Sequence, residues 1–598
     1  MLSRAIHHVL LALLIVIGCS CAQKRFSFIH VTDTHVGASN AASAAAMYRE
    51  INERYPKAAF VLHTGDVVES GSAQQYEMNR KALGNLSIPL HAAPGNHDVR
   101  WNPLGKEGFE KSVGPLYQSW DYQGVHFVLL DSTVLLSHLG HIDQRQLDWL
   151  TGDLARTGRK TPIVIGMHHP IGRGMDEVDN AQALVEIVTG YNVCLWLFGH
   201  GHHDLVWAIN GVPAVEAKGL YQGSYDLIEV VDDRIGIERR SRDQSLARLA
   251  SVSISAPTPT RIVPKPAQAV GMFAWQTDVH GEVQSRLLRD GDSLYVTTMA
   301  GQLVALRADD GQIKWAVDTG GPVFSSPCVG GGVIYFGSTD HFVYAVDGRS
   351  GRVKWKRPTG GGIFAGPAVG QGVVCIPSVD MTIYGLEVKT GEILWKTACQ
   401  GMCQSRVASD GQRFYLGGWD NYLRCLDART GRQIWTKKLG KSMYFAPAIA
   451  SPVIGGDKVF VTTNDGVLHA LSRWDGEILW EFDNFSVGYS SPLYREGRIY
   501  TALGPKGEVF CLDADIGQPI WQSSAGSVIY DSSFAYGGGR VFIGSANGTV
   551  SAFSADDGNL RWQHKLPPGH LLASPAADDR CVYVGSMNGK VAVLRISR

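Results

Sequence analysis

Between residues 26 and 241, short apolar runs alternate with stretches that are apolar on one helical face only. The runs at 26–31, 58–62, 126–130, 162–166 and 194–198 read as strands, and each leads into a polar cluster. Between them, 41–54 and 144–154 carry amphipathic helical spacing. Strands alternating with helices predict an α/β domain, with functional groups gathered at the strand ends.

The pattern fades from 244 to 270, where Pro, Ser and Thr dominate, and this stretch reads as an extended linker. From 271 onward the chain repeats itself. A tryptophan recurs at Trp275, Trp315, Trp355, Trp395, Trp435, Trp480, Trp521 and Trp562, in steps of 40 to 45 residues. At seven of the eight a glycine in a turn stands four residues earlier, as at Gly311, Gly351 and Gly391. Each unit also holds short β-rich runs. A period of about 40 residues with about four strands per unit predicts a propeller, here of eight blades. A straight β-solenoid is the alternative, but a closed ring leaves no long exposed sheet edge. The expected organisation is therefore 1–21 leader, 26–243 α/β domain, 244–270 linker and 271–598 propeller.

Composition adds bounds. The formal net charge of -1 argues against a broad electrostatic surface for nucleic acid or anionic lipid. Ten cysteines are scattered without a C-x-x-C pair, so no zinc-finger spacing exists. Cys399 and Cys403 raise the question of a disulfide; buried free thiols are the favoured reading. At the start, Arg4, His7 and His8 precede an apolar run at 9–17, too short to cross a bilayer and suited to a secretory signal. Val16-Ile17-Gly18-Cys19 resembles a bacterial lipobox, which implies a lipid on Cys19 and an outer-membrane address. Simple cleavage after Ala22 is the alternative. The expectation is an exported protein, periplasmic or an outer-membrane lipoprotein, touching the membrane only through that anchor.

Five motifs follow apolar runs in order: Asp33-Thr-His35, Gly65-Asp66, Gly95-Asn96-His97-Asp98, Met167-His168-His169-Pro170 and Gly199-His200-Gly201-His202. Singly they are weak, since a Gly-Asp is usually a turn. Together, strand ends would gather them at one edge of a sheet. Hydrolysis of a phosphate ester needs neutralised phosphoryl oxygens and a nucleophile at neutral pH, and two cations about 3.5–4 Å apart supply both. Carboxylates bridge cations, imidazoles suit divalent transition metals, and Asn offers a neutral carbonyl oxygen.

The five motifs resemble those of the calcineurin-like metallophosphoesterases, over nearly the whole of 26–241. The resemblance implies that Asp33, His35, Asp66 and His202 hold one metal. It implies that Asp66, Asn96, His168 and His200 hold the other, with Asp66 bridging. His97 would be the acid or charge stabiliser at the leaving oxygen, positioned by Asp98, and the metals would be two Fe, Mn or Zn ions. His169 and His203 are either substrate contacts or exposed histidines beside the site. Purple acid phosphatases carry a tyrosine three residues after the bridging Asp; Glu69 stands there, which looks more like the cyclic-nucleotide phosphodiesterase branch. The exported 5′-nucleotidases share the metal motifs but carry a different second domain.

The repeats resemble those of the pyrroloquinoline-quinone (PQQ) propeller family, and most closely the propeller lipoprotein of the outer-membrane barrel assembly machine. Units of this length leave little room for a quinone site, and no two cysteines are adjacent. The repeated Trp is therefore expected to pack blade against blade, and the propeller to bind a protein or glycan partner that localises a phosphate-ester hydrolase. A non-enzymatic envelope assembly protein and, less favoured, a quinoprotein oxidoreductase are the competing readings.

Overall fold

A computed structural model describes residues 25–173, 177–241, 246–253, 273–483, 489–503, 507–566 and 569–596. The leader and lipobox lie outside these residues.

The N-terminal domain is built on two six-stranded sheets. One runs in the order β12 (Leu246–Ser253), β11 (Arg234–Arg240), β10 (Tyr225–Val231), β1 (Arg25–Val31), β2 (Val61–His63), β3 (Leu90–Ala92). The other runs β4 (Gln118–Tyr122), β5 (Val125–Leu130), β6 (Ile163–Met167), β7 (Val193–Phe198), β9 (Val212–Glu216), β8 (Leu205–Ile209). The central strands β1–β2–β3 and β5–β6–β7–β9 are parallel. Both faces of these strands are covered, which is why they read as nearly unbroken apolar runs.

The period of two decides which residue faces which layer. Phe28, Phe127, Leu129, Leu195 and Leu197 meet between the sheets. The alternate residues Ile29 and Val31 pack with Met47, Tyr48 and Ile51 of helix α1 (Ala41–Arg54) and with Tyr76 of α2 (Ala73–Leu83). Val128, Leu130, Trp196 and Phe198 pack with α5 (Gln144–Thr157) and α6 (Ala181–Val188). Two short helices, α3 (Asn96–Arg100) and α4 (Lys106–Ser112), precede β4. The result is an α/β/β/α sandwich, as expected.

The linker expected at 244–270 starts too early. β12 pairs with β11 from Arg234↔Ser253 to Arg240↔Leu246, so the sheet extends into that stretch. The short alternation within Leu-Ala-Arg-Leu-Ala-Ser-Val-Ser is masked in the sequence by the prolines that follow. The rest of the linker lies outside the described residues.

The C-terminal half is a propeller of eight four-stranded sheets. In the last, strand Phe273–Asp278 pairs with Lys590–Arg595, so both ends of the repeat array share one blade and close the ring. Each tryptophan locks its blade to the next. The ring of Trp355 lies under Gly391, where a Cβ would fall 2.6 Å from the indole and φ is +70. Its Nε1 donates to the carbonyl oxygen of Val388, and Trp395, Trp435, Trp480 and Trp521 make the same bond one blade on. That contact requires both residues of each Gly–Trp pair, which is why both recur.

The two halves are packed together. Trp101 and Leu135 join Phe324, Phe364, Trp419 and Ala446 of the propeller in one buried cluster, and Trp101 meets Trp419 edge-on at 5.6 Å. Val134 and Leu139 bury against Ala546, Leu572 and Met587. An ionic group spans the same junction: His141 Nδ1 lies 2.6 Å from Asp179, and its Nε2 lies 3.3 Å from Glu282 of the propeller. Asp179 also accepts from the backbone N–H of His570. Burial opposes protonation of His141, but Asp179 and Glu282 outweigh it and push its pKa up to about 10. For both acids burial is likewise outweighed, chiefly by His141, and both lie below their usual range.

The sign of the resulting linkage is fixed. The His141 contribution is complete below its ordinary value of 6.5 and is lost as pH rises toward about 10. The acids contribute above their ordinary values of 3.8 and 4.5 and lose this as pH falls. His141→Gln should therefore lower the melting temperature most near pH 6, with the gap to the parent protein closing by pH 10. A gap independent of pH would sink this account.

Candidate metal centre

The strand ends deliver the five motifs to one place. Asp33 and His35 lie just beyond β1, Asp66 beyond β2, and Asn96 at the start of α3 beyond β3. His168 follows β6, and His200 and His202 follow β7. These ends belong to different sheets, so the site sits at the rim of the sandwich.

The donor atoms fall into two groups that share Asp66. His202 Nε2 is 3.0 Å from Asp33 Oδ1 and 3.3 Å from His35 Nε2, and His35 Nε2 is 3.6 Å from Asp66 Oδ2. On the other side, His168 Nε2 is 3.2 Å from Asp66 Oδ2 and 3.1 Å from Asn96 Oδ1. His200 Nδ1 is 2.9 Å from Asn96 Oδ1 and 3.2 Å from His168 Nε2. Donor atoms this close suit a shared cation better than a hydrogen-bond network. Imidazole nitrogens meet each other in both groups.

The outward nitrogens decide the tautomers. His35 Nδ1 lies 2.9 Å from Glu69 Oε2, His202 Nδ1 3.1 Å from the Tyr221 hydroxyl, and His200 Nε2 3.3 Å from Glu177 Oε2. His168 Nδ1 donates to the Thr64 carbonyl oxygen at 2.9 Å. The outer nitrogens of His168 and His202 are hydrogen-bonded and those of His35 and His200 face carboxylates, an arrangement that leaves the inner nitrogens free to offer lone pairs, as in imidazoles that bind cations. Seven lone-pair donors converging in this way fit two cations.

The backbone is bent to achieve this. Asp33, His35, Asp66, His200 and His202 all hold positive φ, between +48 and +75. Such conformations cost about 1–2 kcal/mol each for residues with a Cβ and persist where the surroundings over-determine them. Space is equally tight: a Cβ on Gly95 would lie 2.1 Å from Asp66 Oδ1.

The electrostatics match a cation site. Burial raises the Asp33 pKa, but hydrogen bonds from His202 and His35 hold it well below the usual range. Asp66 is likewise lowered, with His168 and His97 outweighing burial. Burial opposes protonation of His168, yet the Asp66 charge and hydrogen bond push it up to about 9. Burial, with His138 and His169 nearby, holds His200 well below its ordinary value.

His97 sits at the rim. Its backbone N–H donates to Asp66 Oδ1 at 2.8 Å, and its Nδ1 to the Glu69 carbonyl oxygen at 2.8 Å. Asp98 does not position it. The Asp98 carboxylate instead accepts from the backbone N–H groups of Val67, Val68 and Gly95 at 2.9–3.1 Å. It braces the Asp66 loop against the Asn96 loop. Burial and the Asp66 charge push Asp98 up to about 7 against those three donors.

His169 is neither exposed nor open to a substrate. It is fully buried, with Nδ1 2.8 Å from the Ser132 hydroxyl and Nε2 3.2 Å from the His138 carbonyl oxygen. His203 is exposed at the mouth, and its N–H donates to Glu216. Sequence reasoning missed Tyr221 and Glu177, which no motif marks, and the part played by Glu69. It also missed that the propeller reaches the centre: the Tyr444 hydroxyl donates to Glu69, the residue beside His35. The His138 ring lies 4.4 Å from His200 and 6.0 Å from Tyr530 of the propeller. Elsewhere, Cys399 and Cys403 are free thiols with sulfurs 3.9 Å apart.

Comparison with known proteins follows the two halves. The calcineurin-like phosphoesterase family matches residues 26–204. The family described as outer membrane protein assembly factor BamB matches 265–363, 343–483 and 419–598. The chain is similar to a 3′,5′-cyclic adenosine monophosphate phosphodiesterase, CpdA, of Pseudomonas aeruginosa, at 30% identity over 29% of this chain and 69% of the relative. It is similar to the 3′,5′-cyclic-nucleotide phosphodiesterase alr5338 of Nostoc, at 29% over 30% of this chain and 72% of the relative. A glycerophosphodiester phosphodiesterase, GpdQ, of Enterobacter lignolyticus matches at 26% over 29% of this chain and 70% of the relative. Donor geometry and family matches agree that this chain belongs to the calcineurin-like phosphoesterases, metal-dependent phosphoester hydrolases, with a C-terminal half of the BamB propeller family.

Proposed function

We propose that this chain hydrolyses phosphodiesters at a centre of two transition-metal cations. Asp33, His35, Asp66 and His202 would hold one; Asp66, Asn96, His168 and His200 would hold the other. The observation that carries this is the meeting of two donor groups at the single carboxylate of Asp66. Fe, Mn and Zn all accept this mixture of imidazole and carboxylate. When bound, the cations supply charge neutralisation for the phosphoryl oxygens and an activated water.

The chain's own residues do the rest. Glu69, Tyr221, Glu177 and the Thr64 carbonyl hold the four imidazoles in orientation. His97, fixed through Nδ1, presents Nε2 to the leaving oxygen and protonates it. Substrate enters on the side of His202 and Tyr221, where Tyr221 is 38% exposed. The relatives named for cyclic nucleotides and for glycerophosphodiesters both act on diesters, which favours a diester here.

Tyr444 on Glu69 and Trp419 on Trp101 bring the propeller up beside the centre. The propeller is also read as the module that binds a protein or glycan partner. Export, with a lipid on Cys19, rests on the Val16–Cys19 pattern and the BamB-family match.

The full-length protein reconstituted with Mn²⁺ is expected to cleave bis-(p-nitrophenyl) phosphate about tenfold faster or more than p-nitrophenyl phosphate, about 1.4 kcal/mol in barrier. A monoester preference would overturn the diester assignment, and failure to bind metal would overturn the centre itself.

A further inference from the structure

The propeller axis carries a second site, built from one position of the repeat. The residue beside each blade's innermost strand lines a cavity of about 120 Å³ on the axis. Serine fills this position in five blades, at Ser326, Ser451, Ser491, Ser533 and Ser574, and Gly366 fills it in a sixth. In the remaining two blades it is Arg286 and Arg406.

The serines form a ratchet. Each hydroxyl accepts from the backbone N–H of the preceding blade where those bonds are made: Arg286 to Ser326, Arg406 to Ser451, Ser451 to Ser491, Ser491 to Ser533 and Ser533 to Ser574, at 2.8–3.2 Å. No partner receives the O–H of any of these five among the described residues, so five donors remain on the wall of the cavity.

The arginines are built in, not stray. Gly366 lies where the stem of Arg406 passes: a Cβ there would fall 2.8 Å from Arg406 Cγ. Neither guanidinium has a carboxylate or hydrogen-bond partner among the described residues. Burial, with the like charge of Arg406, pushes Arg286 down to about 9, and burial lowers Arg406. The neighbouring Cys328 thiol is pushed up to about 12 by burial, so it offers no counter-charge at neutral pH. Asp531 also lines the cavity, with neither carboxylate oxygen hydrogen-bonded among the described residues; burial pushes it up to about 6 against the charge of Arg100 of the α/β domain. Both side chains are half-buried, and two such cations left side by side without an anion are unfavourable.

Beyond the ring, on the end away from Leu136, the cavity continues into a recess of about 380 Å³. Arg286 and Arg406 line this too, together with Arg289 and Arg495, and no carboxylate does. Arg289 is engaged by Asp578 and Arg495 by Glu496, which leaves the two ring arginines as the free charges.

We propose that the propeller axis is a binding site for a compact tetrahedral dianion of the phosphate class, held between Arg286 and Arg406 and ringed by serine hydroxyls. Two guanidinium forks match a dianion, and the surrounding hydroxyl donors serve a tetrahedron of oxygens better than a planar carboxylate, which would leave one charge uncompensated. The recess gives room for an organic group on a phosphomonoester.

The test uses the full-length chain with the metal centre silenced by Asp66→Asn and chelator, and the chelator-treated parent in parallel. Inorganic phosphate, glycerol phosphate and malonate are titrated by calorimetry, with the melting temperature followed in each. Expected are one phosphate bound per chain, a rise in melting temperature, and an affinity about tenfold lower or worse in R286Q/R406Q. R286K/R406K, which keeps charge but loses the forks, should fall between. Glycerol phosphate binding as tightly as inorganic phosphate would mark the ligand as a phosphomonoester, and weaker binding would mark it as free phosphate. Metal content and diester turnover of R286Q/R406Q in the unsilenced background should match the parent, which certifies its fold. Absence of phosphate binding, binding unchanged in R286Q/R406Q, or tighter binding of malonate than of phosphate would each overturn the proposal.

Discussion

Asp66→Asn is expected to abolish turnover and to strip both cations from the protein. Asn keeps the volume of Asp and tolerates the left-handed backbone that Asp66 holds at φ +56. It also keeps an oxygen for the N–H of His97, now 2.8 Å from Asp66 Oδ1. What it removes is the charge at Oδ2, which lies 3.6 Å from His35 Nε2 and 3.2 Å from His168 Nε2, one imidazole of each group. Both groups lose their common anion, so neither cation is held by the remainder as before. Diester turnover should fall by about four orders of magnitude, about 5.5 kcal/mol in barrier. The metal content by mass spectrometry should fall from two per chain toward none. Asn96→Ala, which touches only the His168–His200 group, should cost one cation and spare the other. If Asp66→Asn kept both cations and merely slowed, the shared-carboxylate arrangement would be wrong.

Most of the candidate centre could be read in the sequence because each candidate ligand sits within four residues of the end of a strand. Strand ends of a parallel sheet share an edge, and the order of motifs along the chain follows that of β1, β2, β3, β6 and β7. The propeller was equally legible, since Trp and Gly repeat at one spacing and each needs the other. What was hidden is of three kinds. Asp98 reads as a partner for the adjacent His97, but its oxygens turn to the backbone of Val67 and Val68, a pairing set by loop geometry across thirty residues. His169 reads as a substrate contact or an exposed histidine because it adjoins a candidate ligand, yet Ser132 and the His138 carbonyl make burial tolerable. The docking of the halves left no local trace at all. Trp101, Leu135 and Leu136 look like ordinary apolar loop residues, and hydrophobic pattern reports that a residue is buried, not against which distant surface.

That docking bears on the role proposed for the propeller. A module that only localises the hydrolase needs no contact with its centre. Here the Tyr444 hydroxyl donates to Glu69, whose other oxygen lies 2.9 Å from His35 Nδ1. The propeller therefore reaches a candidate ligand through one intervening side chain. Trp419 packs on Trp101, which in turn meets His97 at 5.0 Å between ring centroids. Glu69 stands where a related group of phosphatases carries tyrosine, and its partner across the domain junction gives that replacement a physical reason.

His97 is where assistance to the leaving group separates from metal binding. In His97→Ala the backbone N–H that donates to Asp66 Oδ1 survives, so both cations should stay. The imidazole, held by the Glu69 carbonyl at 2.8 Å, is lost, and with it the proton for the departing oxygen. General acid catalysis is worth about 10²–10⁴ in rate, so turnover of an alkyl phosphodiester should fall by that range. p-Nitrophenolate leaves readily without a proton, so bis-(p-nitrophenyl) phosphate should lose far less. The informative quantity is the slope of rate against leaving-group pKa, which should steepen in His97→Ala while metal content stays at two. A parallel loss on both kinds of substrate would assign His97 to charge stabilisation instead, and loss of metal would make it part of the scaffold of Asp66.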